Sequence, residues 1–305
     1  MIQFDYNKQV YGGTEYMARE FLKRIYPSLP KLESYRCIIM PGTVPPLSDI
    51  VMDTKQTILW LHNTPTQFHP DAQRIYFHND KFWEKIKYVV VPSQIAKDFL
   101  LRDLPNVDPD KVVIIPNAII PAKYDADKFK NPDKVKLIHT SGPDRALPIL
   151  MNSLKYVEED FRLDIYNDFN PDLYPDMPAE DRVMFYNRTP RAAVQDAFSK
   201  AHIFVYPSVF EETFCLSLAE GMSAGCLPVY SSFGAVPEIS GGRGFIYDAP
   251  IDHEEHAKLF AKELTDAIKL VKSGEWDPTE QIEYINNKYS WDTIKDAWLE
   301  LHDSL

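Results

Sequence analysis

Two glutamates, Glu212 and Glu220, lie eight positions apart in the segment PSVFEETFCLSLAEGMSAGCLPV, residues 207–229. The segment reads as the end of a strand, a turn, a helix and a second strand, with Glu212 in the turn and Glu220 on the helix. Eight helical positions rise by about 12 Å, which exceeds the roughly 5–10 Å between the two carboxyls of a glycosidase. The pair is therefore better suited to holding two ends of one long polar ligand than to flanking a single reacting atom.

Backbone amides between the two glutamates favour a negatively charged group at the middle of that ligand. They belong to Thr213, Phe214, Cys215 and Leu216. At a helix N-terminus, N–H groups without intrahelical partners and the helix dipole attract anions. A ligand with hydroxyls at both ends and phosphate between them is a nucleotide-sugar. The alternative is that Glu211 and Glu212 only complement the helix dipole and that Glu220 is solvated.

Length and composition indicate a globular protein of two domains. A chain of 305 residues with 45% hydrophobic and 26% charged residues exceeds what one core usually organises. Residues 1–130 hold 17 basic and 15 acidic residues, whereas the remainder holds 16 basic and 30 acidic residues. The excess of acidic residues in the second half argues against nucleic acid as a partner, because a nucleic-acid binder needs a basic surface. Basic residues of the first half suit either solvation of a helix or weak peripheral contact with an anionic membrane surface. They are Arg19, Lys23, Arg24, Lys31 and Arg36.

No apolar run approaches the roughly 20 residues needed to span a bilayer, and the first residues do not resemble a signal peptide. Three well-separated cysteines show no metal-ligand spacing and fit a reducing compartment. We therefore expect a cytoplasmic location.

Short apolar runs alternate with amphipathic segments along most of the chain, which predicts parallel α/β sheets. The predicted strands are Tyr35–Met40, Thr57–Leu61, Tyr88–Val91, Val112–Ile115, Val135–Thr140, Arg162–Tyr166, Val183–Tyr186, Ile203–Tyr206, Pro228–Ser231 and Gly244–Tyr247. The predicted helices include Thr14–Ile25, Gln94–Arg102, Leu147–Val157, Arg191–Lys200 and His256–Lys272. A polar stretch over residues 121–134 marks the boundary between two doubly wound domains. Ligands of such sheets bind at the carboxyl ends of the strands.

Residues 207–229 resemble the E-x7-E signature of retaining glycosyltransferases of family 4 (glycosyl transferases group 1), which have the GT-B fold. The positions that carry the match are Pro207, Ser208, Glu212, Phe214, Glu220, Gly221, Ala224, Gly225, Pro228 and Val229. The resemblance implies that Glu212 contacts the transferred sugar, that residues 213–216 meet sugar and phosphate, and that Glu220 binds the ribose. It also implies two Rossmann-like domains facing across a cleft. Residues 1–128 would be the acceptor domain and 129–288 the donor domain, with 289–305 a terminal helix that crosses back.

Other segments are similar to parts of the same family. Residues 137–154 resemble the opening of the donor domain, where Arg145 would reach the diphosphate; Pro143 stands where many members have a second basic residue. The loop with Gly12 and Gly13 resembles the glycine-rich loop of the first domain. It would follow either a short strand over Ile2–Tyr6 or a trimmed domain edge.

Further positions complete the expected site. His62, at the end of a strand, would lie near the donor sugar, the alternative being a histidine satisfied by nearby carbonyls. The resemblance puts Asn187 and Arg188 at the base, and it makes Arg145, Glu212 and His62 the candidate catalytic residues. Roles expected elsewhere are a cap at Ser93, a hinge at Asn117, proximity to ligand for Gly234 and Ala235, and packing for Trp291 and Trp298.

The resemblance implies transfer of a hexose from a GDP- or UDP-sugar to an alcohol of a glycan or glycoconjugate, with retention and same-face attack. No D-x-D pair follows a strand near the donor segment, so we expect neither a metal nor another cofactor. Two alternatives stay open. One is a sugar phosphorylase or nucleotide-sugar epimerase of the same fold, and the other is a non-catalytic nucleotide-sugar binding protein. A dinucleotide dehydrogenase is disfavoured because no G-x-G-x-x-G opens a helix after a strand.

Overall fold

The computed structural model describes residues 2–3, 12–29, 35–40, 56–68, 70, 76–130, 132, 134–173, 180–187 and 189–305. The described strands are β1 Ile2–Gln3, β2 Tyr35–Met40, β3 Gln56–Leu61, β4 Ile86–Val91, β5 Val112–Ile114, β6 Val135–His139, β7 Phe161–Tyr166, β8 Val183–Tyr186, β9 Ile203–Tyr206, β10 Leu227–Ser231 and β11 Phe245–Tyr247. The described helices are α1 Gly13–Arg24, α2 Asp80–Lys85, α3 Gln94–Asp103, α4 Leu147–Ser153, α5 Arg191–Lys200, α6 Leu216–Ser223, α7 Val236–Ser240, α8 His253–Ser273, α9 Thr279–Tyr289 and α10 Trp291–Asp303. Every strand and helix predicted from the sequence is present, with shifts at the ends.

Contacts divide the chain into two compact units. The first comprises residues 1–118, 212–214 and 289–305, and the second comprises residues 119–211 and 215–288. The first break thus lies one residue after Asn117, the predicted hinge.

The first unit holds a parallel sheet in the order β1-β2-β3-β4-β5. Strand β3 reads QTILWL, and residues 57–61 are buried because both faces of the strand are covered. Helix α10 belongs to this unit: the Trp298 ring packs edge-on against Phe21 and Trp60, with centroids 4.7 and 4.8 Å away. Trp298 and Trp291 are both buried, so these tryptophans are packing residues.

The short strand β1 pairs in parallel with β2, with Ile2 opposite Cys37 and Gln3 opposite Ile38. One of the two alternatives for the first residues, a short strand, is therefore present over Ile2–Gln3. The remainder of that predicted segment, residues 4–6, lies outside the described residues.

The second unit holds a parallel sheet in the order β11-β10-β9-β6-β7-β8. Numbered from β6, that order is 3-2-1-4-5-6, the doubly wound arrangement of dinucleotide-binding folds. Its core lies between the sheet and helices α4 and α8, and includes Leu137, Leu150, Leu163 and Phe260. Asp252 caps the start of helix α8 with a side chain that accepts hydrogen bonds from two backbone amides, and Gly274 caps its end in the left-handed conformation (φ 73°).

No helix within the described residues is long and apolar enough to span a membrane.

Candidate nucleotide-sugar site

The strand order of the second unit places a ligand-binding position between β6 and β9. These strands are neighbours in the sheet, with Leu137 opposite Ile203, and the chain winds outward from them in opposite directions. In open parallel sheets, ligands bind outside the carboxyl ends of the strands at this reversal of order. The loop after β6 contains Arg145, and the loop after β9 leads into α6. Two of the segments singled out in the sequence therefore converge at one edge of the sheet.

Arg145 is held over an aromatic ring at this edge. Its guanidinium carbon lies 3.6 Å from the centroid of the Phe210 ring, and the guanidinium also forms an ion pair with Asp144. A hydrogen bond from its backbone N–H to the carbonyl of Gly142 (2.9 Å) closes the turn that carries it. The side chain keeps 27% of its surface exposed. A fixed cation is thus available to an anionic ligand at the carboxyl end of β6.

The residue after Arg145 has a strained backbone. Ala146 adopts φ 63° and ψ 34°, the left-handed region, directly before α4 begins at Leu147. It is the one non-glycine residue with positive φ among the described residues. Such a conformation costs about 1–2 kcal/mol for an L-residue, and strain of this kind concentrates at functional sites. Sequence reasoning missed it because an alanine carries no signal for this conformation.

Helix α6 begins without a side-chain cap. Its N-cap residue, Cys215, lies in extended conformation and provides no side-chain acceptor for the first amides. Cys215 is buried, whereas Leu216 is only partly buried. The helix spans eight residues, and its positive end lies at the carboxyl edge of β9, so these amides are suited to an anion.

Glu220 lies buried on α6, with 7% of its side chain exposed, and forms an ion pair with Arg191, the first residue of α5. The alternative that Glu220 is a solvated surface residue is wrong. A carboxylate in such surroundings needs a partner to remain charged, and Arg191 provides it. Sequence reasoning missed Arg191 because the pair joins residues 29 positions apart on two helices.

A groove of about 700 Å³ opens beside the loop that carries Arg145. Its lining includes Pro143, Ala146, Val209, Phe233 and Ile251, and is mostly apolar. An apolar lining does not suit a diphosphate. Arg145, which stacks on Phe210 and carries the matching charge, is not among the residues that line this groove.

Of the two residues predicted to meet the donor base, the structure describes one. Asn187 follows β8 and is exposed; its carbonyl accepts a hydrogen bond from the Thr189 hydroxyl at 2.6 Å. Arg188 lies outside the described residues. Gly234, after β10, has φ 66°, which favours glycine there, and Ala235 is buried as the N-cap of α7.

His62 and Thr213 are joined within the first unit. The Thr213 hydroxyl donates to the carbonyl of His62, and the Ser93 hydroxyl donates to the carbonyl of Thr213 at 2.7 Å. Ser93 also caps α3, as predicted, by accepting from the amide of Ala96. The segment 212–214 is therefore fixed by loops that follow β3 and β4. Of that segment, Thr213 and Phe214 are buried, and Glu212 is partly buried.

The imidazole of His62 is neutral. Burial lowers its pKa from 6.5 to about 3, because a charged ring would lose its hydration. Its ring centroid lies 4.6 Å from that of Trp60. Its Nε2 atom is buried and has no hydrogen-bond partner among the described residues. Among the described residues, no backbone carbonyl accepts a hydrogen bond from this ring nitrogen, so they do not support the alternative of a histidine satisfied by nearby carbonyls.

Gly12 and Gly13 open helix α1. Gly12 is the N-cap with φ −87° and ψ 159°, a conformation open to any residue, and no side chain caps the helix. Both glycines are exposed. The backbone itself therefore does not require glycine at position 12, and close approach of a ligand stays a prediction.

In the part of the chain that the structure describes, no three His, Cys, Asp or Glu side chains are grouped closely enough to hold a metal ion.

Comparison with known proteins identifies the same segment. Residues 176–275, which include Glu212 and Glu220, match the family model of glycosyl transferases group 1. The chain is 25% identical over 211 residues to a subunit of the human phosphatidylinositol N-acetylglucosaminyltransferase, a match that covers 65% of this chain and 42% of that protein. It is 25% identical over 228 residues to the O-antigen chain mannosyltransferase RfbU of Salmonella typhimurium, a match that covers 70% of this chain and 62% of that protein. The chain thus spans less than two thirds of the length of either relative.

Among solved structures, the chain is similar to Anabaena Alr3699/HepE in complex with UDP-glucose, with a TM-score of 0.62 and 16% identity. The match covers 82% of this chain and 72% of the other. The predicted GT-B fold is confirmed by this structural similarity, and the predicted resemblance to glycosyl transferases group 1 agrees with the family model that residues 176–275 match.

Proposed function

We propose that this protein is a retaining glycosyltransferase that moves a hexose from a nucleotide diphosphate sugar, GDP- or UDP-linked, to an alcohol of a glycan or glycoconjugate. The observation that supports this most strongly is Arg145, stacked on Phe210 at the reversal of strand order, beside an uncapped helix that carries the buried Glu220. The similar Anabaena protein was solved with UDP-glucose, which favours a nucleotide-sugar as the donor class.

In this proposal the diphosphate lies between Arg145 and the first amides of α6. Negative charge grows on the diphosphate as its bond to the sugar breaks, so a fixed cation and aligned N–H dipoles stabilise the transition state more than the ground state. Glu220 accepts a hydrogen bond from the ribose, and Glu212 contacts the transferred sugar. Asn187 and Arg188 lie at the base.

The remaining assignments follow the same donor orientation. His62 is placed near the sugar, where a neutral ring offers its Nε2 lone pair to a hydroxyl, and Gly12 and Gly13 allow close approach of the ligand. The leaving phosphate assists deprotonation of the acceptor on the same face, which gives retention. We propose that neither a metal nor another cofactor takes part, and that the protein works in the cytoplasm.

Weak peripheral contact with an anionic membrane is part of the proposal for helix α1. Arg19 and Lys23 are exposed on it, whereas Arg24 is engaged by Glu20 at 2.6 Å. Two exposed cations give only weak attraction, about 1 kcal/mol for each.

A thermal-shift screen of UDP-, GDP- and ADP-sugars tests the donor class, because a ligand that binds the folded state raises the melting temperature. The donor that gives the largest shift is then incubated with an alcohol acceptor, with inorganic phosphate, or alone. Turnover that requires the alcohol supports a transferase. Phosphate-dependent turnover indicates a phosphorylase, and acceptor-free conversion of the donor indicates an epimerase. Binding without any turnover indicates a binding protein.

A further inference from the structure

Buried hydrogen bonds hold residues 212–214 in the first unit. The Thr213 hydroxyl donates to the carbonyl of His62, and the carbonyl of Thr213 accepts from the Ser93 hydroxyl at 2.7 Å. Thr213, Ser93 and His62 are 7%, 1% and 8% exposed, so these bonds form where little water competes and are stronger than bonds at the surface. By its contacts the segment belongs to the first unit, although residues 211 and 215 belong to the second.

Each hydroxyl proton in this network has one possible direction. Backbone carbonyls only accept, so both hydroxyls donate. The Ser93 oxygen in turn accepts from the amide of Ala96 at 3.0 Å, which connects Thr213 to the first turn of α3. Beyond Thr213, the Phe214 ring packs edge-on against the buried Tyr289, with ring centroids 5.3 Å apart. The backbone of the segment is therefore fixed by the loops after β3 and β4 and by Tyr289.

We propose that Thr213 is a positioning residue that fixes Glu212 relative to His62, the two residues assigned to the transferred sugar. This inference rests on the proposed function. Glu212 directly precedes Thr213, whose hydroxyl binds the backbone of His62, so a single side chain joins the two assigned residues. Arg145 and Glu220, assigned to the diphosphate and the ribose, lie in the second unit. Loss of the hydroxyl should therefore weaken recognition of the sugar and leave recognition of the nucleotide unchanged.

The test measures the dissociation constants of UDP-glucose and UDP by titration calorimetry in Thr213→Val and Thr213→Ser. If the thermal-shift screen selects a GDP-sugar, that donor and GDP replace them. Valine keeps the β-branched shape but cannot donate, whereas serine keeps the hydroxyl.

In Thr213→Val the dissociation constant of UDP-glucose should rise relative to that of UDP by about tenfold, since hydrogen bonds between the sugar and a charged group are weakened. The dissociation constant of UDP itself should stay within about twofold, because the groups assigned to the nucleotide are distant and independent. Where the wild type turns the donor over, kcat should fall by about 10- to 100-fold, the effect expected of a displacement of about 1 Å. Thr213→Ser should bring both quantities back to within about threefold of the wild type, since the donor is retained.

Ser93→Ala removes the second hydrogen bond and should change the ratio of the two dissociation constants in the same direction. It also removes the cap of α3, so its matched control is Ser290→Ala. Ser290 caps α10 in the same unit by accepting from the amide of Thr293. Loss of that cap should leave the ratio unchanged.

An unchanged ratio in Thr213→Val overturns the inference. So does equal weakening of UDP-glucose and UDP, which would mean that Thr213 only stabilises the fold, and so does failure of serine to restore the ratio. In each of these cases, turnover of the donor by the wild-type protein leaves the proposed function standing. Absence of nucleotide-sugar binding by the wild-type protein overturns both.

Discussion

The stacking of Arg145 on Phe210 predicts a measurable catalytic role for an aromatic ring that does not itself touch the reacting atoms. Phe210→Leu keeps an apolar side chain under the guanidinium but removes the ring quadrupole. A cation over an aromatic face contributes about 0.5–1 kcal/mol when exposed and about 2 kcal/mol when desolvated. The guanidinium lies 3.6 Å above the ring, and the side chain is 27% exposed, so we expect about 1 kcal/mol, or roughly a fivefold loss of kcat/KM.

The assay is steady-state turnover of the nucleotide-sugar identified by the thermal-shift screen, with Arg145→Ala measured beside it. Arg145→Ala should lower kcat by about 10²–10³, as expected for loss of a group that stabilises developing negative charge. Adding Phe210→Leu to Arg145→Ala should have no further effect, because the ring acts through the guanidinium. The control is Phe233→Leu, an exposed ring on the loop after β10. Wild-type turnover in Phe210→Leu, or a fivefold loss that persists without Arg145, would refute the reasoning.

Three further predictions concern stability. Ala146→Gly should raise the free energy of unfolding by about 0.5–1 kcal/mol in denaturant titrations, because relief of left-handed strain exceeds the added entropy of the unfolded chain; a decrease would contradict the strain. For His62 the folded pKa, about 3, lies below the unfolded value of 6.5, so its stabilisation is present above pH 6.5 and is lost as pH falls toward 3. The wild-type melting temperature should therefore fall more steeply between pH 6.5 and 5 than that of His62→Gln, and parallel curves would exclude the buried neutral ring. Trp298→Ala should cost about 3–5 kcal/mol, since the ring is 1% exposed; a loss below about 1 kcal/mol would mean that α10 does not close the core of the first unit.

Continuous apolar runs made the strands predictable. Short, continuous apolar runs are typical of strands that are covered on both faces. Two examples are QTILWL (Gln56–Leu61) and IFVY (Ile203–Tyr206), and both are strands in the structure. Ends were less certain: the predicted helix Leu147–Val157 ends at Ser153 and continues as a single 3₁₀ turn. Helix α2, only six residues long, gave no periodic pattern. The order of strands in each sheet could not be predicted from the apolar pattern, because it depends on the side of the preceding strand on which each crossover connection places the next strand.

The candidate site was predictable where its signal was local. Glu220 and the start of α6 lie in one contiguous segment, so their spacing together with the family resemblance suggested their roles. The partners of those residues were not predictable in this way. Phe210 was visible as an aromatic residue, but its place under Arg145 depends on β6 and β9 being neighbours in the sheet. The Arg191–Glu220 pair and the buried state of His62 likewise depend on packing between elements that are distant in the chain.

The most direct test of the central claim is the dissociation constant of the donor nucleotide-sugar for Glu220→Ala, measured by titration calorimetry. Glu255→Ala, which changes an exposed glutamate on α8, is the control. If the start of α6 holds the diphosphate and Glu220 the ribose, the variant loses about 1–3 kcal/mol of binding free energy, roughly a 5- to 150-fold weaker affinity. A dissociation constant equal to that of the wild type and of Glu255→Ala would contradict the account.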